Sequence, residues 1–385
     1  MYEAVVVSAC RTPIGTFGGK LKDTPAAQLA AVTIQEALLR VNVSPDEVDE
    51  VIFGNVLQAG TGQNIARQAA VHAGIPLHTP AFTVNKVCGS GMKAVALAAQ
   101  AIQAGQGEVF VAGGTESMSR APYLLDDIRW NVRMGHRQLV DSMIWDGLWC
   151  SFEDCHMGVT AENLARRYGI SREEQDRFAA RSQQRAEAAI REGRFREEIV
   201  PVEVHAGKSD VSIVDTDEHP RFGMTEATLC TLRPAFQPDG TVTAGNASGL
   251  NDGAACLAVM ERSRAEAAGV EPLASIRTYA SVGVDPALMG MGPVPAIHKA
   301  LTAAGLHLDD IDLIEINEAF AVQTLAVLQE LSLDESRVNV KGGAIALGHP
   351  IGCSGARILV TLLHALREER LRKGLAALCI GGGQG

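Results

Sequence analysis

Ala37-Leu-Leu-Arg-Val-Asn-Val-Ser-Pro-Asp46-Glu-Val-Asp-Glu-Val-Ile-Phe-Gly-Asn55 lies without gaps on Ala300-Leu-Thr-Ala-Ala-Gly-Leu-His-Leu-Asp309-Asp-Ile-Asp-Leu-Ile-Glu-Ile-Asn-Glu318. Each stretch reads as the end of a helix, an acidic turn and a strand. A second pair follows at nearly the same offset, Cys88-Gly-Ser-Gly91-Met-Lys93 against Gly352-Cys-Ser-Gly355-Ala-Arg357. Both open a long apolar helix that leads to an apolar strand with glycines at its end, Val109-Phe-Val-Ala-Gly-Gly114 and Leu378-Cys-Ile-Gly-Gly-Gly383. The polar positions of the first helix are Lys93, Gln100 and Gln103, and those of the second Arg357, Thr361, His364 and Arg367, narrow stripes on apolar cylinders. A helix apolar nearly all round is a buried helix. Strands alternating with helices, several of them continuously apolar, imply sheets covered on both faces. The expected architecture is α/β and duplicated: two similar halves, residues 1–119 and 250–385, with buried central helices between sheets.

Residues 120–249 differ in composition, holding all three tryptophans (Trp130, Trp145, Trp149) and ten of the seventeen aromatics. Ser171-Arg-Glu-Glu174 is a capping box that starts a charged helix. This segment reads as an inserted loop or cap domain, which either binds substrate or partners or is a structural elaboration with its own small core.

The 385 residues carry 34 Lys and Arg against 45 Asp and Glu, a net charge of −11 without a basic run, which excludes a nucleic-acid partner. No stretch approaches the roughly 18 apolar residues of a membrane span. Met1 leads straight into a strand-like segment with no secretory signal, so a cytoplasmic location is expected. Eight cysteines over this length do not make a disulfide framework.

Four motifs are candidates for chemistry. Cys88 lies between a strand and the N-terminus of a buried helix, where free N–H groups and the helix dipole are expected to lower a thiol pKa and make a nucleophile. The glycines after it allow a sharp turn and close approach of a substrate. His349, in Gly348-His-Pro350, occupies the counterpart loop of the second half and can meet Cys88 if the halves face each other. Cys353 in that loop reads as small and buried. Cys379 precedes three glycines whose N–H groups suggest an oxyanion site beside a thiol base. Asn317 and Glu318 end an apolar strand; Asn317 is placed to hold a water, and Glu318 to orient a ligand or cap the next helix. Cys150, Cys155 and His156 lack a fourth ligand at zinc spacing, so no metal site is read there.

Together, Cys88-Gly-Ser-Gly, Asn317-Glu-Ala-Phe320, Gly348-His-Pro with Gly-Cys-Ser-Gly355, and Cys379-Ile-Gly-Gly-Gly resemble the thiolase family, most nearly its acetyl-CoA acetyltransferases. The likeness runs from Val7-Ser-Ala-Cys-Arg-Thr-Pro-Ile-Gly15 to Gly385, where the family usually continues through one more short strand. It implies two βαβαβαββ halves in an α-β-α-β-α five-layer fold. It also implies reversible condensation of two acetyl-CoA to acetoacetyl-CoA and CoA. Cys88 would carry the acetyl group, His349 take its proton, and Cys379 remove the α-proton of the second acetyl-CoA. The N–H groups of Cys88 and Gly381 would form one oxyanion hole, and His349 with an Asn317-held water the other. Leu148, His156, Met157, Arg221, Thr228, Ala244, Ser248, Met289 and Phe320 would contact CoA or the acyl unit. No metal or cofactor is implied, CoA being substrate and product, and residues 119–145 would assemble a homotetramer from dimers. Large Met157, Met289 and Phe320 favour a two-carbon acyl unit.

The alternative within the family is a degradative 3-ketoacyl-CoA thiolase for longer chains, distinguished by the acyl pocket. A decarboxylating ketoacyl synthase would not need Cys379, and a non-catalytic acyl-CoA scaffold would be expected to lose Cys88, Asn317, His349 or Cys379.

Overall fold

The computed structural model describes residues 2–126, 128–131, 133–205 and 211–385. In chain order the first half runs β1 (Ala4–Arg11), α1 (Ala26–Leu39), β2 (Glu50–Gly54), α2 (Ile65–His72), β3 (Ala81–Val84), α3 (Ser90–Gln103) and β4 (Val109–Ser117). The intervening segment contains β5 (Trp149–Cys150), β6 (Cys155–His156), α4 (Met157–Tyr168) and α5 (Arg172–Arg191). Then come β7 (Asn251–Glu261), α6 (Pro293–Ala304), β8 (Leu313–Ile316), α7 (Ala321–Leu331), α8 (Ile351–Glu368) and β9 (Gly374–Ala377).

The repeat in the sequence is a repeat in space. β2 lies between β3 and β4, parallel to both. β8 lies likewise between Val338 and β9, parallel to both. Ahead of each central strand stands one 3₁₀ turn, Pro45–Glu47 and Leu308–Asp310, closed by a carboxylate reaching back to a backbone N–H: Ser44 donates to Glu47 and His307 to Asp310. Two expected details change. The counterpart of β4 is Gly374–Ala377, so Gly113 and Gly114 sit inside a strand, whereas Gly381–Gly383 lie beyond one. β7 bonds antiparallel to β1 on one side and β4 on the other. A strand paired on both edges cannot be detached from its sheet, so the first half regains the chain at residue 251 and the expected boundary at 250 falls one strand too early.

α3 and α8 cross between the sheets, and the repeated glycines are their contact. A Cβ on Gly91 would stand 2.8 Å from the Ala356 nitrogen, and one on Gly355 2.5 Å from that of Met92. These glycines thus admit a neighbouring helix rather than a substrate. Ala94, Ala98, Cys353, Ala356 and Val360 pack there with Ile52, Phe110 and Leu257 of the first sheet.

The polar stripe of α8 does not reach solvent at its start. Arg357 lies 3.6 Å from Glu315, both buried, and Thr361 donates to Glu198. Glu198 and Asp217, from the inserted segment, clamp the buried Arg11 of β1 at 2.6 Å each. Removing one partner of such a pair costs about 3–5 kcal/mol by stranding a charge. Ser171 caps α5 with Glu174, as its sequence predicts. The insertion is therefore bolted to the first half through ions rather than tethered beside it.

Candidate active site

Cys88 is presented by a strained turn. Val87, a β-branched residue, has φ of 46° in the left-handed region, a conformation costing about 1–3 kcal/mol. Ser90 holds it: its hydroxyl donates to the Val87 carbonyl at 2.6 Å and accepts from the Lys86 N–H at 2.8 Å. Ile380 packs into the space a Gly89 side chain would take, its Cδ1 2.5 Å from where a Cβ would stand.

Cys88 is partly exposed as a residue but its sulfur is turned inward, where it meets the N–H groups of Gly381 and of Cys88 itself. These lower its pKa, but burial outweighs them and pushes it up to about 11, with Glu116 adding to the rise. The expected resting thiolate is corrected: Cys88 is a thiol that needs a base. Cys379, fully buried just past β9, feels Cys88, and its pKa is raised well above the usual range by burial and by that neighbour. Ile380 and Gln384 exchange backbone hydrogen bonds, folding Gly381–Gly383 into a turn, with Gly382 and Gly383 both at φ of 81°.

His349 is suited to be the base. Burial, then Arg357, lower its pKa to about 3, so the ring is neutral. Nδ1 lies 2.5 Å from the Ser354 hydroxyl, whose one proton goes to the Pro350 carbonyl at 2.9 Å. The hydroxyl must then accept, which places the proton on Nδ1 and leaves the Nε2 lone pair open. Nε2 faces the Asn317 amide nitrogen at 3.5 Å, and the Asn317 oxygen is buried with no partner. Asn251 accepts from the His349 N–H at 2.9 Å, and its side chain fills the space beside Gly348, whose φ is 103°.

Glu318 is neither ligand nor cap. It accepts from Ser182, Asn339 and the Ile345 N–H and is structural. Cys353 is buried among apolar side chains, its pKa pushed up to about 12 by burial. The counterpart to Ser354 by repeat is Ser90, and each serine bonds back to a carbonyl of its own loop; that equivalence was the missed signal for the His349 partner. Glu116 was missed altogether. It is buried, accepts from the N–H groups of Val56, Leu57 and Gly352 and from Asn55, and burial raises its pKa to about 7. It ties the start of α8 to the loop after β2.

Two apolar groups meet at the sulfurs. Leu148 and Cys88 both pack against one cluster of Val56, Leu57, Met118, Met143 and Ile351. Met157, Met289 and Phe320 share a core with Cys379. Met157 Sδ stands 3.5 Å from the Cβ position of Gly381. His156 caps α4 through Nδ1, burial lowers its pKa, and its ring stacks on Phe236, which meets Phe320 edge-on. Ser248 donates its N–H to the Ala319 carbonyl beside Phe320. Ala244, Arg221 and Thr228 are exposed on the inserted segment, and no contact joins them to Cys88. Among the described residues no three His, Cys, Asp or Glu converge as metal ligands, and no helix is long and apolar enough to cross a membrane. A concavity of ≈ 1770 Å³ between residues 268–281 and α8 and β9 is lined by Gly89, Leu378 and Ile380 but not by Cys88 or Cys379 themselves.

The family model described as the N-terminal domain of thiolase matches residues 4–263, and that of the C-terminal domain matches residues 270–385. The chain belongs to the thiolase family. This thiolase is 58% identical to the acetyl-CoA acetyltransferase of Pseudomonas aeruginosa over 385 residues, 100% of this chain and 98% of the relative. It superposes on the Bacillus anthracis acetyl-CoA acetyltransferase with a TM-score of 0.98 at 49% identity, and on human mitochondrial 3-ketoacyl-CoA thiolase with 0.96 at 46%. Both alignments cover 100% of this thiolase and 97% of the other chain.

Proposed function

We propose that this thiolase is an acetyl-CoA C-acetyltransferase, reversibly joining two acetyl-CoA to acetoacetyl-CoA and CoA, the reverse direction being thiolysis. The observation that carries the reading is the Cys88 sulfur held under two backbone N–H groups beside a second buried thiol. Acetyl transfer forms the Cys88 sulfur–carbonyl bond, with the thiol proton passing to Nε2 of His349, and breaks the thioester bond so that CoA leaves with a proton. The N–H groups of Cys88 and Gly381 would steady the oxyanion. Cys379, having given its proton to the departing CoA, would then take an α-proton from the second acetyl-CoA, and the carbanion's attack on acetyl-Cys88 would release that sulfur as a thiolate that recovers its proton from His349. The unpartnered Asn317 oxygen would accept a hydrogen from a water that, with His349, faces the second thioester oxygen.

Met157, Met289 and Phe320 would close the acyl end, while Leu148, His156, Ala244 and Ser248 would line the way in and Arg221 and Thr228 receive the nucleotide end of CoA. No resident metal or cofactor takes part, and the cytoplasm is the compartment. Tyr123, Leu125, Ile128, Trp130, Met134, Leu139 and Trp145 leave large apolar side chains exposed along residues 119–145, which supports tetramer assembly through this loop. Asp127 and Val132 of that loop lie outside the described residues.

Thiolysis measured with acetoacetyl-CoA and with a medium-chain 3-ketoacyl-CoA tests the reading. The closed pocket predicts kcat/KM about tenfold or more higher for acetoacetyl-CoA. Equal use of the longer chain would assign the protein to the degradative class.

A further inference from the structure

Two cysteines outside the acyl-transfer machinery stand opposite each other. Cys150 on β5 is paired in register with Cys155 on β6, next to the Trp149–His156 pair. Directly opposed residues of an antiparallel pair project to one face with Cα atoms about 4.5–5.5 Å apart, inside the about 4.4–6.8 Å that a disulfide spans. The hairpin is held in shape: Asp154 takes φ of 48°, and the Trp149 indole donates to its carboxylate at 3.0 Å. Cys150 is buried and Cys155 is partly exposed, so one sulfur can meet a small oxidant and the other can resolve it.

We propose that Cys150 and Cys155 form a reversible dithiol–disulfide site whose oxidant is a peroxide. Hydrogen peroxide would oxidise Cys155 to the sulfenic acid, its second oxygen leaving as water. The Cys150 sulfur then displaces the sulfenic oxygen, which leaves as a second water once protonated. Two thiols have lost two electrons and two protons, and the peroxide has become two waters. A dithiol-specific reductant reverses the change by exchange.

The surroundings set the pace. Partial burial, the Cys150 thiol, Glu153 and Asp154 all raise the Cys155 pKa. The dithiol therefore reacts slowly at Cys155, and thiol attack on Cys150 of the finished disulfide is slow because the departing Cys155 thiolate is basic. The bond would act on the pocket mouth. Phe152, at the hairpin tip, lies 3.4 Å from where a Cβ of Gly382 would stand, and the hairpin continues through His156 into Met157. The inference does not rest on the proposed activity.

Peptide mapping tests it on the native protein. After hydrogen peroxide, alkylation in denaturant and trypsin, the peptide of residues 138–166 contains Cys150, Cys155 and no other cysteine. It should be two hydrogens lighter than the dithiol and carry no alkyl group, and dithiothreitol before alkylation should restore both labels. Exposed Cys230 reports that oxidant has reached the protein. Both cysteines alkylated while Cys230 is oxidised would overturn the proposal, as would Cys155 sulfinic acid beside alkylated Cys150. In Cys150→Ser, prolonged peroxide should carry Cys155 to a product that dithiothreitol cannot recover; full recovery would also overturn it.

Discussion

Replacing Ser354 by alanine tests the arrangement that makes His349 a base. The Ser354 hydroxyl spends its proton on Pro350 and accepts from Nδ1 of His349 at 2.5 Å. Without it, the Nδ1 proton sits in a buried space with no acceptor, which costs about 1–3 kcal/mol. The ring escapes by moving the proton to Nε2. There it opposes the Asn317 amide nitrogen, donor against donor, and in the proposed mechanism could no longer receive the Cys88 proton. At 1.4 kcal/mol per decade, that penalty shifts the tautomer balance about 5- to 150-fold, and kcat should fall by a similar factor when proton transfer from Cys88 limits the rate. Thiolysis of acetoacetyl-CoA measures kcat and KM, and urea unfolding measures stability in parallel. A fall in kcat with nearly unchanged KM is expected. Unchanged kcat in a variant destabilised by about 1–3 kcal/mol would refute the tautomer argument, showing Ser354 to be a packing residue only.

Cys88→Ala should abolish the acetyl-enzyme seen by mass spectrometry, whereas Cys379→Ala should still acylate at Cys88 but lose condensation; normal condensation in the latter would remove Cys379 as the base. Gly355→Ala places a methyl group 2.5 Å from the Met92 backbone nitrogen, so a loss of about 1–3 kcal/mol should exceed the roughly 1 kcal/mol gained in helix propensity, read from the urea midpoint. Glu116 has a folded pKa of about 7 against an unfolded 4.5. The folded state holds more protons between those values, so this group's contribution to stability is full below about pH 4.5 and is lost as pH rises through 7. Stability of the wild type relative to Glu116→Gln should decline across that window, and a flat difference would show that Glu116 does not titrate there. His349 has the opposite sign: its pKa is lowered to about 3 from 6.5, so its contribution is present above 6.5 and is lost as pH falls through 3. The buried ring stays neutral over most of that range, and His349 protonation should not produce an acid limb in kcat between pH 5 and 8.

The sequence by itself determined the duplication, the burial of α3 and α8, and the family to which the chain belongs. These are legible because periodicity and glycine spacing are local, and because Cys88, Asn317, His349 and Cys379 stand in short motifs. Tertiary structure decided what local chemistry could not. The Cys88 pKa rises because a thiol at a helix N-terminus still loses its solvent, and only packing shows that burial outweighs two N–H groups. The stripe of Arg357 and Thr361, polar on a helical wheel, faces Glu315 and Glu198 brought from elsewhere in the chain, so polarity did not mean exposure. β7, adjacent in sequence to the second half, belongs to the first sheet because hydrogen bonds to β1 and β4 satisfy both its edges. The neutral state and tautomer of His349 depend on burial and on one hydroxyl whose proton is already committed. Motifs state which groups are present; the competition among desolvation, charge and hydrogen bonding that sets their protonation exists only where folding has put them together.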